Sequence, residues 1–126
     1  SDATVKFVNP LPFVKDIEAS KRFYCSTVSL SILEDRGNFV KFANGFAMHD
    51  GGALFRNVFG VEDTSAPPYG RGNLVLYFEE TNLDETFARI SQDVVLIHAI
   101  REEPWGQQVF RFFDPDRHVI ELGEPQ

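Results

Sequence analysis

The sequence predicts an α+β fold made of two βαβββ modules whose curved sheets enclose a cleft. Three observations carry that expectation. Local patterning runs strand, helix, three strands, and then restarts near Gly72. Residues repeat with the pattern: Asp16-Ile17-Glu18 matches Asn82-Leu83-Asp84 at the two helix starts, and Phe39-Val40-Lys41-Phe42 matches Val109-Phe110-Arg111-Phe112. A third, looser match sets residues 46–51 against 119–124. A single βαβββ module cannot bury its own sheet face, whereas two copies can.

Taken in order, residues 4–13 read as a strand whose second half carries Pro10 and Pro12. Proline donates nothing to a ladder, so that half is an edge or a bent exit. Asp16 is a good N-cap, and Ile17, Ser20, Phe23, Tyr24 and Val28 follow at helical spacing. Ser29 follows that helix directly. Residues 29–35, 38–44 and 45–50 read as three short strands broken by Arg36-Gly37-Asn38 and Asn44-Gly45. A long connection, 51–71, follows, with a short helical turn near 54–60 and two adjacent prolines that would allow a lid. The second module, about 72–123, opens with a strand at 72–80. A helix over 81–93 has Asn82 as N-cap and Glu85 three residues on, in a capping-box arrangement. Strands at 94–100, 107–113 and 118–122 complete it, the last two joined by the turn Asp114-Pro115-Asp116-Arg117.

Bulk properties exclude several functions. With 126 residues the chain suits one domain of two modules, about 4–50 and 72–123. A net charge of −7 and no Lys/Arg cluster argue against nucleic acid as a partner. No apolar run approaches the ~20 residues that span a bilayer, so no membrane partner is expected. The lone Cys25 rules out an internal disulfide and reads as a packing residue. No signal-peptide pattern opens the chain, and the cytoplasm is the expected compartment. The 13 phenylalanines read first as core and second as the wall of a pocket for a flat ligand.

Three segments, residues 13–24 after the first strand, 76–90 after the fifth, and 105–124 at the end, resemble the vicinal oxygen chelate superfamily, which includes glyoxalase I, bleomycin-resistance proteins, extradiol dioxygenases and fosfomycin-resistance enzymes. The terminal segment is the most specific. The resemblance implies a half-barrel cleft, a small-molecule ligand and a homodimer. It also implies four ligand positions in metal-using members, one each on strands one, four, five and eight. Counted by position these fall at Asn9, at Met48 or His49, at Val75, and at Glu121. Glu121 is a good ligand and His49 a second. Asn9 is weak, Met48 is soft, and Val75 has no donor atom. The metal patterns of the glyoxalases, dioxygenases and fosfomycin enzymes therefore all look incomplete.

Candidate residues follow. Val119 and Glu121 share one strand face, so a carboxylate sits among apolar neighbours. It reads as a ligand contact, a general acid or base, a partner for Arg111, or an inherited rim residue. His49 beside Asp50 reads as a surface pair ahead of a ligand, His98 as a rim residue, and His118 as solvent-exposed. Trp105, Tyr77 and Phe46 are lining candidates, with Phe39 and Phe110 behind them. The leading expectation is metal-independent binding of a small organic molecule, without a cofactor, by Glu121, Trp105, Arg111, Tyr77, Phe46, His49 and Asn9. A cationic planar ligand suits an acidic protein with aromatic walls. The alternative is a lyase or isomerase of the glyoxalase type, with Glu121 as the base and a divalent metal held by Glu121 and His49.

Overall fold

A computed structural model of the chain describes residues 4–126, which divide into two compact units at Ser65/Ala66. The first contains β1 (Phe13–Val14), α1 (Ile17–Arg22) running on as a π-helical stretch (Phe23–Thr27), β2 (Ile32–Asp35), β3 (Phe39–Phe42), β4 (Ala47–Asp50) and α2 (Gly51–Phe59). The second contains β5 (Val75–Glu79), α3 (Leu83–Ile90), β6 (Val95–Glu102), β7 (Gln108–Phe113) and β8 (Val119–Gly123). The sheets have strand orders β1-β4-β3-β2 and β5-β8-β7-β6. In each, the first strand runs parallel to the last and the other pairs are antiparallel. The duplicated βαβββ unit is therefore present, and no helix among the described residues is long and apolar enough to cross a membrane.

Each unit has its own core. In the first, Tyr24 is fully buried with its ring 4.8 Å from Phe46 and 6.0 Å from Phe42, and Val40 and Met48 are buried as well. Asp16 starts α1 as expected, its Oδ1 accepting from the Glu18 and Ala19 amides at 3.1 Å. In the second, alternation puts Phe110, Phe112, Ile120, Leu122 and Leu76 on one face, all buried. The α3 side chain Phe87 meets Phe110 edge-on at 5.0 Å, so the helix covers that face and leaves the other to the odd-numbered residues.

Four expectations change. The first strand shrinks to Phe13–Val14, because Pro10 and Pro12 offer no amide to β4, and residues 4–12 precede the sheet. The helical turn in the connection is a nine-residue helix, α2, capped by the Asp50 side chain on the Ala53 amide at 2.9 Å. Asn82 sits at the N-cap of α3 without a side-chain cap bond. Its amide instead donates to Glu80 Oε1 at 3.1 Å, so no capping box forms. His118 is buried rather than exposed. Asp114 Oδ1 accepts from the Asp116 and His118 amides at 2.9 and 2.8 Å while Oδ2 contacts His118 Nδ1 at 2.9 Å, and this pulls the ring inward.

Ser29 adopts the left-handed conformation, at φ 70°. Its Cβ crowds the following carbonyl there, at a cost of about 1–2 kcal/mol that glycine avoids. Ser29→Gly is expected to raise stability by about 1 kcal/mol, after glycine's greater entropy loss, read as a higher urea midpoint at unchanged slope. An unchanged or lower midpoint contradicts this account of the turn.

Candidate functional site

Strand register builds the site. Tyr77 pairs with Glu121, Glu121 with Arg111, and Arg111 with His98. Paired residues point to the same side, so one row of polar side chains crosses β5, β8, β7 and β6 on the face opposite α3. Glu121, Arg111 and Tyr77, each a ligand-contact candidate from the sequence, lie in this row.

Arg111 is the hub. Its Nε donates to Glu121 Oε1 at 2.7 Å, and its Nη1 donates to Glu103 Oε1 at 2.7 Å. The Arg111 side chain is 17% exposed, with Glu103 at 8% and Glu121 at 12%, so these pairs are largely shielded from water. Arg101 Nε reaches Glu103 from the rim at 3.0 Å. His98 adds a third contact to Arg111. Its Nδ1 lies 2.8 Å from the Ala99 carbonyl, which can only accept, so Nδ1 carries the proton and Nε2 accepts from Arg111 at 2.9 Å. Burial alone would lower the affinity of Arg111 for its proton, but the two carboxylates outweigh it and hold the guanidinium charged. Burial would likewise push the Glu103 carboxyl up, but hydrogen bonds from Arg101 and Arg111 win and hold it below the usual range.

A second chain of bonds holds the aromatics. Trp105 Nε1 donates to Gln107 Oε1 at 2.7 Å, and Gln107 Nε2 donates to the Tyr77 hydroxyl at 2.8 Å. Tyr77 in turn donates to Glu79 Oε2 at 2.6 Å. Burial of its hydroxyl, together with the Glu79 carboxylate, raises its pKa above that of an ordinary phenol. The buried Gln107 amide also reaches the Glu124 carbonyl at 2.7 Å, and a side chain at Gly123 would come within 2.5 Å of its Nε2. Trp105 and Tyr77 are 55% and 47% exposed, so their faces are offered to a ligand while their polar ends are fixed.

The other candidates belong to the first unit. Phe46 is a core residue stacked on Phe42 at 5.5 Å, which corrects its reading as a lining residue. Asn9 lies ahead of β1 with its amide turned onto the Pro10 carbonyl at 2.8 Å. His49 is half-buried near Phe39, with Nδ1 on the Asp50 backbone carbonyl at 2.9 Å. Phe110 is core. Register also corrects the ligand position on strand four. Phe13 pairs with His49 three residues before the cap Asp16, just as Glu79 pairs with Gly123 three residues before Asn82. The counterpart of Glu121 is therefore Ala47, and Met48 lies on the buried face. Lys41 pairs with Ala47 as Arg111 pairs with Glu121, so the first unit keeps the cation and lacks the carboxylate.

The four family positions thus hold Asn9, Ala47, Val75 and Glu121, and the carboxylate among them is bonded to Arg111. These residues do not fit a divalent metal, which needs about three protein ligands. Asp114, Asp116 and His118 offer ligand atoms within 4.8 Å of one another. Asp114 is already the knot of its own turn, taking two amides and the His118 ring, so this group is accounted for as turn chemistry.

Sequence reasoning missed Glu103, Gln107 and Glu79, and set His98 aside as rim. Glu103 and Gln107 lie in the turn between β6 and β7, where alternation gives no facing. The one available signal was two glutamates beside an arginine at 101–103.

A family model described as a glyoxalase-like domain matches residues 7–126. No curated protein matches the chain. Among solved structures, the chain is similar to a protein of unknown function from Agrobacterium tumefaciens str. C58, at 47% identity and TM-score 0.94, covering 99% of this chain and 98% of that one. A glyoxalase/bleomycin resistance protein/dioxygenase from Nocardioides shares 19% identity at TM-score 0.76, over 98% of this chain and 85% of that one. A lactoylglutathione lyase from Agrobacterium tumefaciens shares 19% identity at TM-score 0.70, over 97% and 95%. At such identities the last two likenesses speak for the fold alone.

Arg111→Met is expected to leave Glu121 buried without its donor and to cost about 1–3 kcal/mol in urea unfolding. The acid limb should change as well. A carboxyl held low in the native state contributes stability that is present above its unfolded pKa and lost as pH falls through the native value. Stability of the native chain should therefore fall below about pH 4.5, and the fall should be shallower in Arg111→Met. Equal limbs in the two proteins would contradict the part assigned to Glu103.

Proposed function

The chain belongs to the glyoxalase-like domain family, and from that membership we propose that it binds a small organic molecule without a metal, on the helix-free face of the second sheet. The observation that carries this reading is the commitment of Glu121 to Arg111 at 2.7 Å. With Oε1 taken by the guanidinium, Glu121 has its second oxygen left to offer, and a guanidinium beside that oxygen disfavours a second cation. Its counterparts Ala47 and Val75 bring no donor atom. A metal-dependent lyase or isomerase would need Glu121 released and two further ligands found, and no observation favours that reading.

The ligand class follows from what the face offers. Tyr77 and Trp105 present exposed rings whose hydroxyl and N–H are already bonded inward. Stacking on them requires a flat partner. Glu79 beside Tyr77, in a chain of net charge −7, favours a positive one, and a planar cation over an aromatic face gains a further attraction. Arg111, His98 and Glu103 hold the floor rigid. Binding then needs no bond to be made or broken.

Trp105 is the sole tryptophan, so its fluorescence reports on this face. Titration with a planar acridinium cation is expected to quench it saturably, with affinity reduced about tenfold in Tyr77→Ala, a loss near 1.4 kcal/mol. The neutral isostere should bind more weakly. Protein incubated with Zn²⁺, Ni²⁺, Mn²⁺ or Fe²⁺ and desalted should retain far less than about one equivalent of metal. Tight stoichiometric metal that disappears in Glu121→Ala would overturn the reading.

A further inference from the structure

We infer that the ligand of this face carries an edge of N–H, C=O and N–H groups in that order, as a planar cyclic urea does, and that Glu121, Arg111 and Glu103 recognise it. The inference rests on the reading that a flat small molecule binds here, and it narrows the class of that molecule. Three atoms of the cluster are left without a bond. Arg111 donates through Nε to Glu121 Oε1 and through Nη1 to Glu103 Oε1 and His98 Nε2. Its third nitrogen, Nη2, has no hydrogen-bond partner among the described residues. Arg101 also donates to Glu103 Oε1, so the Oε2 atoms of both glutamates are likewise unused. All three atoms keep some contact with solvent, although Glu103 and Glu121 are only 8% and 9% exposed. His98 adds no further donor, since its Nδ1–H is bonded to the Ala99 carbonyl.

Planarity sets the order of these atoms. In a guanidinium each nitrogen neighbours the other two, so Nη2 shares one edge with Nε and another with Nη1. Nε faces Glu121 and Nη1 faces Glu103, which puts Nη2 between the two acids. The open atoms therefore run acceptor, donor, acceptor, and their complement runs donor, acceptor, donor. Tyr77 is the neighbour of Glu121 in the same row, so a ring stacked on Tyr77 presents its edge to this floor.

Charge excludes simpler partners for the floor. Two acidic side chains, Glu103 and Glu121, are balanced there by two basic ones, Arg101 and Arg111. A carboxylate or phosphate placed on Nη2 would face both glutamates, and an ammonium placed on either Oε2 would face Arg111. A neutral edge satisfies all three atoms and adds no charge. An edge of the reverse polarity sets acceptor against acceptor and donor against donor, which is how the wrong ligand is rejected. The positive charge favoured by Glu79 then belongs to another part of the ligand, on the Tyr77 side.

The test is isothermal titration calorimetry of the full chain with three flat probes. Benzimidazol-2-one offers N–H, C=O, N–H. Phthalimide has nearly the same outline and the reverse order, C=O, N–H, C=O. N,N′-Dimethylbenzimidazol-2-one keeps the carbonyl and lacks both N–H groups. Benzimidazol-2-one should bind about tenfold tighter than either of the others. Arg111→Lys, which keeps the charge and removes Nη2, should abolish that preference in protein whose circular dichroism is unchanged. Equal affinities for the three probes, or no binding of benzimidazol-2-one, overturn the inference, and so does a folded Arg111→Lys variant that keeps the full preference. If that variant does not fold, the comparison on the native chain decides alone. The acridinium titration separates the two readings. Acridinium bound with no preference among the probes removes the edge and leaves the stacking face, whereas a preference without acridinium binding removes the cation and leaves the edge.

Discussion

The second unit is organised around one guanidinium. Arg111 sits in the middle strands of its sheet with a buried carboxylate on each side, Glu121 across the ladder and Glu103 from the turn. Burial alone would push the Glu103 carboxyl up, and the hydrogen bonds from Arg111 and Arg101 outweigh it. Arg111 therefore decides three things at once. It helps hold the Glu103 carboxyl below the usual range, it fixes His98 as the Nδ1–H tautomer, and it bonds the one good ligand among the family's metal positions. What remains open on that face is aromatic, namely Tyr77 and Trp105, tied at their polar ends through Gln107. A floor of paired charges with an aromatic rim suits recognition by stacking better than metal-assisted chemistry.

The two modules show how one topology can carry different sites. Both use the same strand order, with the helix cap two residues after the first strand in one and three in the other. At equivalent places the second unit holds Arg111 opposite Glu121 and the first holds Lys41 opposite Ala47. A charge pair on one face is thus independent of the helix-covered core on the other, where Val40, Phe42 and Met48 play the part of Phe110, Phe112 and Leu122. Strand alternation is what separates them, since each face can change without disturbing its opposite.

That separation also explains what could be read from the chain directly. Helix starts, strand alternation and the internal repeat are local patterns, and apart from the first strand and α2 they placed the elements to within a few residues. The pairing of Arg111 with Glu121 was legible because both lie on adjacent antiparallel strands of known facing. Strand four was not, because a one-residue slip exchanges faces, and neither Met48 nor His49 marks which side is buried. Phe46 misled for a related reason: a phenylalanine looks the same in a core and in a pocket wall. The β6–β7 turn has no periodicity, so Glu103 and Gln107 emerged only once the backbone had placed them. His118 looked exposed because it follows an acidic turn, and it is buried because Asp114 uses both oxygens to close that turn around it.

The central claim is that Arg111 and Glu121 form a committed, energetically coupled pair. A double-mutant cycle with Arg111→Met, Glu121→Gln and the combined variant, followed by urea unfolding, measures that coupling directly. The account predicts a coupling free energy of about 1 kcal/mol or more, with the double variant losing less than the sum of the singles. Strict additivity would mean that Glu121 does not depend on Arg111, and the carboxylate would again be available to a metal or a substrate.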